Sequence, residues 1–216
     1  YYGADDGIEF FGGTVNVKYA YIFGAEDDSF DWTQGWTGKG QYWLAEQLPL
    51  TGDRGIEADN SSSNNSASPY SNPTISHVTI IGGYSATDTI GRAGIKLREG
   101  TKGKLYNVIV TGFDKRSIDV EHDQTLLNVV DGSLLVDYAY VNSEVSDVVF
   151  KYSSSKTGDV SNPKPEALSA KQFETSDNVT SQIVAKSKSA TFTGGKDMSQ
   201  DTFFSADSNI GSGNSW

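Results

Sequence analysis

Two acidic stretches near the start of the chain contain the residues best suited to chemistry. ADDGIEFFGG begins at Ala4 and EDDSFDWTQG begins at Glu26, so two aspartates, a small residue, an apolar residue and a further acid recur after 22 residues. Carboxylate oxygens are the ligands that Ca²⁺ prefers, and roughly six to eight oxygens complete its shell. With turn carbonyls, five residues are therefore predicted to bind Ca²⁺: Asp5, Asp6, Asp27, Asp28 and Asp31.

The same acids have a second interpretation as turn residues. Asp and Gly are frequent in turns, and an Asp side chain can accept a hydrogen bond from a nearby backbone N–H group. The spacing matches neither an EF-hand loop nor the nonapeptide calcium repeat. Turn formation and cation binding can both hold, at different turns, so the sequence leaves both open.

The acids belong to a longer internal repeat. A unit of small, apolar, charged and apolar residues occurs at 7–10, 29–32, 55–58, 94–97 and 117–120. A second alternating stretch follows each unit, at 14–24, 40–47, 76–83, 104–112 and 133–142. Alternation with period two predicts strands, and short strands recurring about every 22 residues predict an all-β right-handed parallel β-helix. A barrel or sandwich would not repeat one side-chain order at one interval.

The repeat also predicts the domain organisation. Coils of the β-helix are expected over 1–150, with the polar stretch 59–73 inserted as a loop. Because the chain begins inside the repeating pattern, we expect further N-terminal coils to be missing from it. Residues 151–216 are rich in Ser, Lys and Thr and are predicted to form an irregular C-terminal capping segment, with a short helix at 165–173. Three aromatic residues are expected to pack on the last coil: Phe203, Phe204 and Trp216.

Stacked coils would place equivalent charges in columns that begin acidic and become basic. Four basic residues stand at the later end of this face: Lys96, Arg98, Lys115 and Arg116. A cation that neutralises a uronate beside a basic side chain that takes a proton is the layout of a polysaccharide lyase. The alternative is a ladder of charges in solvent.

The aromatic cluster DWTQGWTGKGQYW suggests a sugar-binding surface. Aromatic rings stack on the apolar faces of sugars, while neighbouring Asp and Gln side chains bond the hydroxyl groups. We predict Trp32, Trp36 and Trp43 as ligand-binding residues, with at least one ring facing outward. Alternate members of such a cluster can also fill the interior of the solenoid. His77 lies in a strand and is predicted to pack.

Composition narrows the function classes. The formal charge of −11 argues against binding to nucleic acid, which requires a basic surface, and the absence of Cys excludes disulfides. The sequence contains no apolar run of the roughly 20 residues that cross a bilayer. An acidic chain rich in Asn, Ser, Gly and Thr is typical of exported bacterial proteins.

The run DDGIEFFGGTVNVK, followed by DDSFDW and a G-x-G-Q strand, resembles a family of large right-handed β-helix proteins from bacteria. Its members are secreted or lipoprotein-type proteins of the cell surface and are mostly uncharacterised. RGIEADN resembles the next coil of the family, and the ending FF…G…NSW is similar to its C-terminus. The resemblance implies the fold and an extracellular or cell-surface location, but no reaction.

These observations predict a surface protein of structural or adhesion type, stabilised by cations and able to bind glycans or to self-assemble. The alternative is a lyase or glycoside hydrolase acting on an acidic polysaccharide. The net charge of −11 argues against an acidic substrate, because repulsion slows its approach. The open coil at Tyr1 is expected to stack on the N-terminal remainder of the same protein or on another copy.

Overall fold

A computed structural model describes residues 1–85, 92–142, 149–153, 179–181 and 190–213. Their strands form two sheets in which every neighbouring pair is parallel. The first sheet contains, in spatial order, β1 (Ile8–Phe11), β3 (Phe30–Thr33), β5 (Ile56–Ala58), β7 (Ala93–Leu97), β9 (Arg116–Glu121) and β11 (Phe150–Ser153). The second contains β2 (Val17–Phe23), β4 (Lys39–Glu46), β6 (Thr74–Ile81), β8 (Gly103–Thr111), β10 (Leu134–Val141) and β12 (Val179–Ser181). Each successive pair of strands, starting with β1 and β2, forms one coil.

The register confirms the predicted β-helix and its repeat. Five apolar residues are aligned in one column, each the Cα partner of the next: Ile8, Phe30, Ile56, Ile95 and Ile118. The small residue that precedes them is required by close packing between the sheets. A Cβ atom at Gly55 would lie 2.0 Å from the Cγ2 atom of Ile80, which faces it from the second sheet. The repeated sequence unit therefore corresponds to one short strand of the first sheet, whose side chains point alternately into and out of the coil.

Every long strand of the second sheet bends at the same position. The bend residues of the first five coils have left-handed backbone geometry, with φ between 53° and 59°: Tyr19, Tyr42, His77, Asn107 and Tyr138. Left-handed geometry costs roughly 1–2 kcal/mol for a residue other than Gly. The parallel register continues on both sides of the bend, which turns each strand around a corner of the coil.

Two connections between strands differ in kind. Residues 59–73, between β5 and β6, contain neither helix nor strand, as expected of an inserted loop. Between β9 and β10 lies helix α1 (Asp123–Val130), which the sequence analysis did not predict. Leu126 and Val129 of α1 are buried, but eight residues are too few to give a clear helical periodicity.

The C-terminal region does not simply cover the last coil. Lys151 to Ser153 belong to β11, and Val179–Ser181 pair with β10 as a further strand. Residues 190–213 lie outside the second sheet instead, and Phe203 packs under the ammonium group of Lys18 in the first coil. The prediction that Phe203 packs on the last coil is therefore wrong. The predicted helix at 165–173 and Trp216 lie outside the described residues.

Candidate functional site

Acidic side chains of the first three coils converge at the N-terminal ends and outer face of β1, β3 and β5. We call them the acidic ladder: Asp5, Asp6, Glu9, Asp27, Asp28, Asp31, Asp53 and Glu57. Seven of them form three groups in which the candidate ligand atoms lie within 4.8 Å of one another: Asp5, Asp6 and Asp27; Asp6, Glu9 and Asp31; Asp27, Asp28 and Asp53. All five aspartates of the predicted calcium site occur in these groups, but no single group contains more than three of them. The prediction omitted Glu9 and Asp53, although the repeat aligns them with the predicted residues.

Two of these aspartates also accept backbone hydrogen bonds, but from the neighbouring coil rather than within their own turns. The backbone N–H of Asp28 donates to the Oδ1 atom of Asp6 at 3.0 Å, and the N–H of Arg54 donates to the Oδ1 atom of Asp28 at 2.6 Å. Each bond connects one coil to the next. A carboxylate has two oxygens with several acceptor sites, so these bonds leave Asp6 and Asp28 able to bind a cation.

Crowding and burial make the charged form of the ladder unfavourable. Burial, together with the charges of Glu57 and Asp27, raises the pKa of Asp28 to about 9. Burial likewise raises the pKa of Asp31 to about 8, with contributions from Asp59 and Glu57. Neighbouring charges of one sign destabilise each other most where water is excluded. At neutral pH these groups must hold protons or face a cation.

The donor chemistry of the ladder fits a hard divalent cation. The three groups contain only carboxylate oxygens, the ligands of Ca²⁺ and Mg²⁺, and no His nitrogen or Cys sulfur. The Oδ1 atom of Asp31 is buried without a hydrogen-bond partner among the described residues. A cation would supply that partner and offset the repulsion between the acids.

The raised pKa values predict a pH dependence for the metal-free protein. Around neutral pH, folded Asp28 and Asp31 retain protons that they lose in the unfolded chain. Because the unfolded state then binds fewer protons, the free energy of unfolding should fall as the pH rises from about 4 to about 9. Urea denaturation in EDTA across this range measures the slope. Asp28→Asn should flatten it, and an unchanged slope in that variant would contradict the assignment.

The later coils carry a different arrangement, in which opposite charges are paired. The outward column of the first sheet continues from Glu57 to Lys96, Asp119 and Lys151. The Nζ atom of Lys96 lies 2.8 Å from Glu121 and 3.6 Å from Asp119. Lys96 and Asp119 are both buried, so this is not the ladder of charges in solvent that the sequence suggested as an alternative.

Arg98 links the acidic and the paired coils. Its Nε atom donates to both carboxylate oxygens of Asp59, at 2.8 and 3.0 Å, and its guanidinium also contacts Glu57. Burial opposes the positive charge, but the hydrogen bond and charge of Asp59 raise the pKa of Arg98 above its usual value. Arg98 therefore stays protonated and paired with the carboxylates of Asp59 and Glu57.

The lyase layout receives little support from these contacts. A base must be deprotonated and free to reach the substrate, whereas Lys96 and Arg98 are held by carboxylates. Arg116 lies 3.7 Å from Asp119, and Lys115 is exposed. The basic residues predicted from the columns act mainly as partners for buried acids.

The predicted sugar-stacking tryptophans are inside the molecule. Trp32, Trp36 and Trp43 are each 0% exposed, so the prediction that they bind a ligand, with one ring facing outward, is wrong. Trp36 stacks on Phe10 at 4.1 Å between ring centroids, and Trp43 stacks on Phe30 at 4.4 Å. The predicted packing of His77 is confirmed, because its side chain is fully buried.

A polar cleft lies beyond the C-terminal ends of β3 and β5, whereas most of the acidic ladder lies at the N-terminal ends of these strands. It has a volume of about 380 Å³ and is lined by Thr33, Gln34, Asn60, Ser61, Ser62, Ser63, Ala67, Ser68 and Pro69. Hydroxyl and amide groups predominate in the lining. The inserted loop contributes seven of these nine residues, so the cleft is formed by the loop that interrupts the repeat.

The parallel sheets and the stacked repeat define the chain as a right-handed parallel β-helix. Residues 1–202 match the model of the pectate-lyase-like β-helix domain family, and the chain belongs to that family. No curated protein and no solved structure matches the sequence. Membership fits a polysaccharide-related or surface role. Within the described residues, no helix combines the length and apolar character needed to cross a membrane.

Proposed function

We propose that this chain is a non-enzymatic β-helix module of an exported, cell-surface protein, whose acidic ladder binds Ca²⁺ and thereby stabilises the first coils. The convergence of the ladder carboxylates in three groups within 4.8 Å carries the proposal. The pairing of basic residues with buried acids supports a structural rather than a catalytic role for the later coils. A Ca²⁺ ion would be held by Asp27 and Asp28 together with Asp53, or by Asp27 together with Asp5 and Asp6.

Calcium should raise the melting temperature of the purified chain. A ligand that binds only the folded state adds about 2.7 kcal/mol at a concentration 100-fold above its Kd. For a domain of this size each kcal/mol corresponds to roughly 2–4 °C, so we expect an increase of about 5–10 °C. Calorimetry in Ca²⁺ and in EDTA, with metal analysis of the protein, measures it.

Two double variants separate a site from general charge effects. Asp27→Asn/Asp28→Asn should abolish the calcium shift. Asp131→Asn/Asp197→Asn removes the same charge outside the ladder, and Asn can still accept the backbone bonds that Asp131 and Asp197 accept from Ser133 and Ser199. The control should retain the shift. Equal loss in both variants would show a general effect of charge rather than a site. No shift in the unaltered protein would show that the ladder aspartates bind no calcium and act only as hydrogen-bond acceptors.

The first coil offers a surface for end-to-end stacking. β1 and β2 are the terminal strands of their sheets, and three aromatic residues around them are strongly exposed: Tyr1 (81%), Tyr2 (66%) and Phe11 (63%). Unpaired strand edges beside exposed apolar side chains favour association. We propose a further parallel coil as the partner, from the same protein or from another copy. Sedimentation of the chain across concentrations tests for a copy, and Phe11→Glu should weaken that association.

We propose that glycans bind in the polar cleft rather than to the tryptophans. The exposed amide of Gln34 and the hydroxyl side chains of the inserted loop suit a neutral sugar, because they can exchange hydrogen bonds with its hydroxyl groups. Screening on immobilised glycans tests the assignment. A signal that persists in Gln34→Ala/Ser62→Ala would place glycan contact elsewhere.

A glycoside hydrolase is the second candidate function. Asp31 and Glu57 are adjacent in the outward column, and burial raises their pKa values to about 8 and about 7. A carboxylic acid that is protonated near neutral pH can act as a general acid beside an ionised partner. Release of reducing ends from polygalacturonate, lost in Asp31→Asn, would favour this function over the structural one.

A further inference from the structure

A segment near the C-terminus, residues 190–213, covers the outer face of the second sheet. We call it the clasp. Its two ends pair through the Phe192–Ile210 bridge, and Phe192 stacks on Tyr140 at 3.7 Å. Its tip reaches the first two coils, where Asp201 contacts Lys39. Beneath it lie polar side chains that are all 0% exposed: Gln41, Ser76, His77, Thr79 and Asn107.

Two side-chain amides of the sheet bind the main chain of the clasp. The Oε1 atom of Gln41 accepts the N–H of Ser205 at 2.8 Å, and its Nε2 atom donates to the Ser205 carbonyl at 3.3 Å. Asn107 binds Lys196 in the same way, at 2.7 and 2.8 Å. Each amide thus satisfies both backbone groups of one residue, as a neighbouring strand would. Such contacts recognise the main chain of a peptide through the hydrogen bonds that a neighbouring strand would make.

His77 and Thr79 continue this recognition between the two amides. The Nε2 atom of His77 donates to the Asp207 carbonyl at 3.1 Å, while its Nδ1 atom accepts from the Ser76 hydroxyl at 2.9 Å. The Oγ1 atom of Thr79 accepts the N–H of Ser212 at 2.8 Å. The sheet therefore binds the clasp backbone along much of its length.

Two glycines of the clasp and two lysines of the sheet give the groove selectivity. A Cβ atom at Gly195 would lie 2.7 Å from the Oδ1 atom of Asn107, and one at Gly211 would lie 2.5 Å from the Cδ1 atom of Ile109. Lys39 pairs with Asp201 at 2.5 Å, and Lys18 donates to the Ser205 hydroxyl at 3.2 Å. The matching ligand is an acidic peptide loop, closed by the Phe192–Ile210 pair, with small residues at two fixed positions.

We propose that this groove is a peptide-binding site and that it accepts the clasp of a second copy of this chain, giving tail-exchanged assemblies. A clasp from another copy makes the same contacts, so exchange is opposed only by the local concentration of the chain's own clasp. Eight residues, and so nine Cα–Cα steps, connect Ser181 of β12 to Ala190. They can span about 30 Å, or roughly six coil steps, which brings a neighbouring copy within reach.

Two full-length variants test the proposal by complementation. Gln41→Ala/Asn107→Ala disables the groove and leaves the clasp intact. Lys196→Pro/Ser205→Pro removes the N–H groups that donate to Asn107 and Gln41 and leaves the groove intact. Each variant alone, with Phe11→Glu added to block end-to-end stacking of the first coils, should be monomeric. An equimolar mixture should contain a complex of twice the 23.3 kDa chain mass in light scattering.

The controls distinguish clasp exchange from other association. A chain carrying all four substitutions should form no complex with the groove-disabled variant. Excess synthetic peptide 190–213 should dissociate the mixed complex, whereas the same peptide with Gly195→Val/Gly211→Val should not. Two folded variants that remain monomeric when mixed would overturn the proposal.

A second measurement covers the case in which the groove-disabled variant does not fold. Labelled peptide 190–213 is titrated against the clasp variant, whose solenoid residues are unaltered. Saturable binding that the valine peptide fails to reproduce supports the proposal. Absence of binding overturns it.

Discussion

Replacing Arg98 with Met will lower the free energy of unfolding by about 3–5 kcal/mol at neutral pH. Arg98 holds Asp59 through two hydrogen bonds at 2.8 and 3.0 Å and also contacts Glu57. The substitution removes the positive charge and leaves both carboxyl groups in a partly buried position. Urea denaturation at constant ionic strength measures the change.

The matched control is Lys115→Met, which removes one positive charge from an exposed position. It should change stability by less than about 0.5 kcal/mol. The loss in Arg98→Met should shrink at acid pH, because protonated Asp59 and Glu57 no longer need a cation beside them. An Arg98→Met variant as stable as the control would mean that water solvates these acids.

Trp43→Ala will cost about 3–5 kcal/mol, the usual range for deleting a buried aromatic side chain. The ring is fully buried, stacks on Phe30, and lies 6.1 Å from Phe10 and 6.3 Å from Trp36 between centroids. Its Nε1 atom donates to the Val17 carbonyl at 3.1 Å. Truncation therefore removes both packing and a satisfied hydrogen bond, and thermal denaturation followed by circular dichroism measures the loss.

Tyr19→Ala is the comparison, since Tyr19 stacks on Tyr42 but is 54% exposed. It should lose far less stability than Trp43→Ala. Polysaccharides should leave the tryptophan fluorescence of a Trp216→Phe variant unchanged, because its three remaining tryptophans are fully buried. A saturable change in that fluorescence, with Trp43→Ala as stable as the unaltered protein, would restore the sugar-stacking interpretation.

The sequence predicted the stacking of the coils because each coil repeats the same order of side chains. The register that joins Ile8 to Phe30 and Ile56 is the alignment of the repeated units. The same alignment contains the signal that would have placed Trp32 inside. Trp32 is aligned with Phe10 and Ala58, both inward-facing, whereas its closeness to Asp31 suggested a sugar site. Position within the repeat was more informative than local composition.

The clasp could not be predicted from the sequence, because its contacts are neither local nor periodic. Ser205 binds Gln41 across 164 residues, and Ser212 binds Thr79 across 133. The polar residues of the second sheet gave the only available signal. His77 was correctly expected to be buried, but a strand pattern does not say what covers it.

The clasp changes how a stack of coils can open. In a simple solenoid each coil interacts only with its neighbours, so the ends fray independently of the middle. Here a single segment touches Lys18 in β2, Gln41 in β4, Thr79 in β6 and Asn107 in β8. Because Phe192 of the clasp also stacks on Tyr140 in β10, the first five coils form one cooperative unit, and their amide hydrogens should exchange with solvent through a shared opening rather than coil by coil.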